Sequence, residues 1–131
     1  MLQKRSIWRA LFSALISGMG GISLTATILP YLIAQFLGRI SLEAVVNMRS
    51  MALLMALLWA VGGGIVGWLG GARTGAIVIG LCGLVTGLTL SLIAAPDNLL
   101  VLAVGGVIGL LYGIPGGFIM GRVFPKPASE T

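Results

Sequence analysis

The sequence predicts an all-α, polytopic integral membrane protein with four transmembrane helices, and three observations carry that prediction. Hydrophobic residues make up 58% of the 131 and charged residues only 8%, for a mean hydropathy of +1.12. Soluble domains carry about 25% charged residues, so this chain lacks the material for a water-facing surface. Four apolar runs with uncharged cores are each long enough to cross a bilayer. Glycine fills 21 positions, about twice its usual share of roughly 7%. Many of these glycines recur every four residues, the spacing of closely packed membrane helices.

The first span is expected over about 10–37, after the basic start "MLQKRSIWR". That layout resembles a secretory signal peptide, but the apolar stretch exceeds a signal core of about 7–15 residues and is expected to stay as an anchor. The 29 residues between Arg9 and Arg39 would reach about 44 Å as one helix. The hydrocarbon core is about 30 Å thick, so the helix must tilt, project or bend, and Pro30 is where a bend falls. The remaining spans are expected over about 50–71, 74–95 and 99–121. "GGART" and "APDN" form the short turns between them. A single domain over 1–131 is expected, with 122–131 a polar, proline-containing tail.

The connection "GRISLEAVVNMR" at 38–49 reads as a short helix lying in the membrane interface between helices 1 and 2. Leu42, Val45, Val46 and Arg49 share one face, while Arg39, Glu43 and Asn47 line another. Ser41 is the N-cap residue in this reading. An ordinary polar loop is the competing reading, because so short a window does not fix a period.

Lysine and arginine set the orientation. With four spans, Lys4, Arg5, Arg9, Arg73, Arg122 and Lys126 fall on one side and only Arg39 and Arg49 on the other. Both termini are therefore expected in the cytoplasm. Trp8 and Phe124 would mark the inner interface and Tyr31 the outer.

The glycines form two ladders. Gly105, Gly109, Gly113, Gly117 and Gly121 make one; Gly63, Gly67, Gly71 and Gly75 make another, and Gly83 with Gly87 add a pair. On a helix this spacing leaves a groove that another backbone can enter, a glycine zipper whose partner is either internal or another subunit. Residues 59–77 also match 101–119 at 63, 64, 67, 69, 71, 75 and 77, which raises a duplicated hairpin as an alternative to shared glycine-rich composition. Pro115, inside "YGIPGG", removes a backbone donor and predicts a helix kink. A tolerated kink is favoured over an unwound break, because no charged residue accompanies it.

The missing chemistry is as informative. There is no histidine, and Cys82 is the only cysteine, so neither histidine catalysis nor an internal disulfide is available. No Asp, Glu, Lys or Arg enters the span cores, where proton relays and ion pathways keep theirs. Ser13, Ser17, Ser23, Thr25, Thr27, Gln35, Thr86, Thr89 and Ser91 are the in-span polar side chains. Their expected use is local bonding to their own helix. Glu43 and Asp97 are the only carboxylates before Glu130 and read as separate solvated charges. No phosphate loop, metal-ligand spacing or nucleophile motif is present. The basic residues flank spans instead of forming a nucleic-acid patch.

These readings favour a non-catalytic structural or accessory subunit that packs against other transmembrane helices in a larger membrane assembly. Its partners would be membrane lipids and either other subunits or copies of itself, with no nucleic acid. No cofactor is evident, and the helix grooves leave room for lipid or pigment. The alternative is a homo-oligomeric channel or small transporter whose pore is lined by Ser/Thr and backbone carbonyls.

Overall fold

A computed structural model describes residues 2–39 and 41–126, with side chains from Ile7 onward. All regular structure among them is helical: α1 (Leu2–Ser23), a π-helical turn (Leu24–Ile28), α2 (Leu29–Leu37), α3 (Leu42–Ser50), α4 (Ala52–Leu69), α5 (Ala72–Ala94) and α6 (Leu99–Val123). Four helical runs are long and apolar enough to cross a membrane: Ile7–Leu37, Leu42–Leu69, Ala72–Ala94 and Leu99–Val123. This is the architecture of a multi-pass membrane protein. The later part of the expected tail, 127–131, lies outside the described residues.

Local chemistry explains the boundaries. Gly38 closes α2 at φ +72°, a left-handed conformation that residues with a Cβ disfavour. Gly70 and Gly71, at φ +72° and +98°, turn the chain between α4 and α5. Asn98 caps α6, its Oδ1 accepting from the N–H groups of Leu100 and Val101 at 3.1 and 3.3 Å.

The first span departs from regular helix one turn before the expected point. Pro30 lies in the first turn of α2, and the π-helical turn occupies the residues just ahead of it. A proline ring crowds the carbonyl four residues back and offers no N–H, so the preceding turn widens. Pro115 behaves differently: α6 stays helical from Leu99 to Val123 with Pro115 inside it, and no unwound break forms. Its ring faces outward, as does neighbouring Gly116.

The connection 38–49 is helical from Leu42, and Ser41 caps it, its Oγ accepting from Ala44 N at 3.1 Å. The inward face, however, is Ala44 and Met48. Leu42 and Val46, expected to share an apolar face, remain 80% and 57% exposed. Only Met51 separates α3 from α4. At 18 residues, α4 is about 27 Å long, just short of a bilayer core of about 30 Å.

The helices associate as two antiparallel pairs, α1 with α4 and α5 with α6, and contacts within the pairs are far more extensive than those between them. Leu24, Leu29, Ile33 and Met48, all at most 1% exposed, close the core at the α2–α3 end, and Val66, Ile79, Leu90 and Val101 continue it. The duplicated hairpin is overturned. Residues 59–77 contain the Gly70–Gly71 turn, whereas 101–119 lie within one helix.

Candidate functional site

Glycine sets the α5–α6 contact. A Cβ built on Gly75 would overlap Gly117 O; one on Gly83, Gly109 O; one on Gly87, Gly105 O. The clashes are reciprocal at Gly109, Gly117 and Gly105, while Gly113 meets Ile79 O and Gly121 meets Gly71 O. Each step of four up α5, from 71 to 87, thus faces a step of four down α6, from 121 to 105. Backbone lies directly on backbone over the whole length. Such contact replaces the hydrophobic drive that helices lose in lipid.

The expected second ladder divides. Gly63 and Gly67 face α1, where a Cβ at Gly67 would lie 2.5 Å from Arg9 O and one at Gly63 the same distance from Ser13 O. Gly71 and Gly75 belong to the α5–α6 contact, because the turn at Gly70–Gly71 reverses the chain between the two halves. The counter-surface on α1 is Ser13, Ser17 and Gly21, and Gly21 lies against the Trp59 side chain. Sequence reading missed this row, although its four-residue spacing was visible. Gly62, next to Gly63, faces the other way and receives Cys82 of α5.

A polar node joins the pairs. Trp59 of α4 donates its indole N–H to Thr86 Oγ1 of α5 at 2.9 Å, and Thr86 donates to Cys82 O at 2.8 Å. The Trp59 and Tyr112 rings meet at 5.7 Å with a 59° tilt. Tyr112 of α6 then donates to Gly20 O of α1 at 3.3 Å. All four spans contribute to this one cluster. A fourth cross-link runs from Ser13 Oγ to Met120 Sδ at 3.1 Å. Nothing in the sequence pattern singled out Trp59, Thr86 or Tyr112 as neighbours.

One end of the molecule is basic. Arg9 donates to Pro125 O and its guanidinium lies 6.0 Å from the Phe124 ring centre. Gly71 N donates to Phe124 O at 2.9 Å, and Lys126 lies over Gly71. Arg122 lies 5.2 Å from the Phe118 ring centre. The start of the first span, the α4–α5 turn and the end of α6 are therefore fastened together. Glu43 of α3 and Asp97 of the α5–α6 turn are exposed, and no group of three or more His, Cys, Asp or Glu gathers among the described residues.

The outer surface of the α1–α4 pair carries a groove of about 680 Å³ lined by Trp8, Phe12, Leu15, Met19, Leu53 and Leu57, among other apolar side chains. It offers almost no polar group to a ligand. No known family model, curated protein or solved structure matches the chain, so its functional reading rests on this geometry.

Proposed function

We propose that the protein is a non-catalytic membrane subunit, a structural component that packs against other transmembrane helices in a larger assembly. The observation supporting this most directly is that polar side chains link the four spans to one another. Trp59, Thr86, Tyr112 and Ser13 hydrogen-bond one span to another, and the span cores hold no Asp, Glu, Lys, Arg or His for a relay or coupling site. In this reading the glycine rows act as an internal zipper that makes the unit rigid, and contacts with partners use its outer faces. Lipid or pigment is the ligand class suited to the apolar α1–α4 groove. The α3 helix lies in the membrane interface, and the basic end holding Arg9, Arg73, Arg122 and Lys126 faces the cytoplasm.

The channel reading draws on a different observation: Ser23 and Thr27 are exposed and would be available to line a pore between copies. Against it, Ser13, Ser17, Thr25, Thr86 and Ser91 are at most 1% exposed and are closed inside the unit. The deciding experiment is mild detergent release from native membranes, followed by mass and composition of the particle. Companions of other sequence are expected. A ring of this chain alone would favour the channel.

A further inference from the structure

Trp8 and Phe12 stand side by side on the outside of α1, 62% and 57% exposed, with ring centres 6.4 Å apart. They form a ridge between two apolar hollows, and both rings line both hollows. On one side lies the α1–α4 groove, where Gly18 faces Ala56 and Ala60 and leaves a low floor. From Trp8 to Ile22 it follows α1 for about 21 Å, deeper than one leaflet of a hydrocarbon core about 30 Å thick. On the other side is a hollow of about 410 Å³, bounded by Ile16, Phe124 and the Arg9 side chain.

Acyl chains enter any apolar hollow in a bilayer, and the distinguishing feature here is the mouth. Arg9 is half-buried there, donating to Pro125 O, with its other guanidinium donors uncommitted among the described residues. Lys126, exposed beside Pro125, adds a second positive charge. The described carboxylates, Glu43 and Asp97, lie at the opposite end, so none of them neutralises Arg9. Basic pockets at the end of a helix pair select anionic head groups. A neutral ligand with a single body would leave the second hollow and the guanidinium unused. A partner helix about 10 Å wide has to bridge the projecting ridge, whereas flexible chains pass on either side of it.

We propose that an anionic diacyl phospholipid of the leaflet at the basic end straddles the Trp8–Phe12 ridge, one chain in each hollow and its phosphate at Arg9. This rests on reading the α1–α4 groove as a lipid seat, and it names the lipid class and the residue that selects it.

Full-length protein reconstituted in phosphatidylcholine vesicles tests it by quenching of Trp8 fluorescence with brominated lipid. Trp68→Phe isolates Trp8, and a Trp8→Phe, Trp68→Phe protein supplies the signal of buried Trp59 for subtraction. Dibrominated phosphatidylglycerol should bind at Trp8 about fivefold more tightly than dibrominated phosphatidylcholine, the worth of one arginine at a membrane surface. The control reporter is Phe118→Trp in the doubly substituted protein, which has Arg122 beside it and lines neither hollow. Its preference should be smaller; equal preferences would mean that charge alone recruits the lipid and would overturn the proposal. Filling the groove with Ala14→Leu and Ala60→Leu should bring Trp8 down to the control, while Ala103→Leu, exposed on α6, changes nothing. Arg9→Gln should abolish the preference and Arg9→Lys should keep most of it. A preference that survives Arg9→Gln or the filled groove overturns the proposal, as does none in the parent protein. Trp8 quenched by neither lipid overturns it too, because protein then covers the groove. Each of these failures leaves the accessory-subunit reading standing, since that is decided by the composition of the particle released from native membranes.

Discussion

Trp59 and Thr86 share one buried hydrogen bond of 2.9 Å, and Thr86 is acceptor to the indole while donating to Cys82 O. One hydroxyl thus serves two helices at once. Thr86→Val keeps the shape but leaves the Trp59 N–H without its acceptor in a site where Trp59 is 3% exposed. An orphaned buried donor costs about 1–3 kcal/mol, and hydrogen bonds in membranes average nearer 0.6. We expect a loss of about 1 kcal/mol, read from reversible unfolding in mixed micelles. Thr86→Ser should restore most of it; equal stability of the valine and serine variants would contradict the role.

The two kinds of glycine on α6 should respond with opposite sign. At Gly109 an added Cβ overlaps Gly83 O, whereas at Gly116 nothing lies within 4 Å. Gly116→Ala gains helix propensity of up to about 1 kcal/mol and should be neutral or stabilising. Gly109→Ala forces two backbones apart and should cost about 1–3 kcal/mol, the usual range for overpacking. Gly109→Leu and Gly113→Leu should insert normally yet lose α5–α6 association, with Ile108→Leu nearly silent. Matching behaviour at positions 109 and 116 would reduce the glycine row to composition alone.

Topology is open to a direct check with an impermeant thiol reagent on intact cells in the Cys82→Ser background. Glu43→Cys and Asp97→Cys, both exposed at the end away from the arginine cluster, should label. Pro125→Cys, beside Arg9, should label only after permeabilisation. The reverse pattern would place the termini outside.

Neither carboxylate is expected to carry chemistry. Glu43→Gln and Asp97→Asn should each leave the activity of the surrounding assembly within about threefold, since solvated surface groups rarely contribute more than about 0.5 kcal/mol. A hundredfold loss with normal assembly would mark that residue as a ligand or catalyst.

How much of this was readable in advance depended on the range of each interaction. Span number follows from apolar length against bilayer thickness, and the Ser41 cap follows from a bond three residues long. The four-residue glycine rows marked which face packs closely. What covers the face is a question of tertiary rotation, so Gly63 and Gly75 looked like one ladder although the turn at Gly70–Gly71 sends them to different helices. Which side of α3 turns inward was not legible, because Met48 packs against the core formed by Leu24, Leu29 and Ile33, which a nine-residue window does not contain. Trp59, Thr86 and Tyr112 lie 27 and 26 residues apart along the chain, and only the completed bundle makes them neighbours.

The pairing of α1 with α4 and of α5 with α6 also bears on how the protein is made. Spans one and two emerge first and already hold matching small-residue faces, Ser13, Ser17 and Gly21 against Gly63 and Gly67. They can close on each other in the bilayer before the later half has left the ribosome. Spans three and four then enter as a second hairpin with its own fully matched seam. The contacts of Trp59, Tyr112, Ser13, Arg9 and Gly62 across the two halves must wait for both. Biogenesis is thereby divided into two short-range steps and one docking step, and an error in either hairpin remains local until the last.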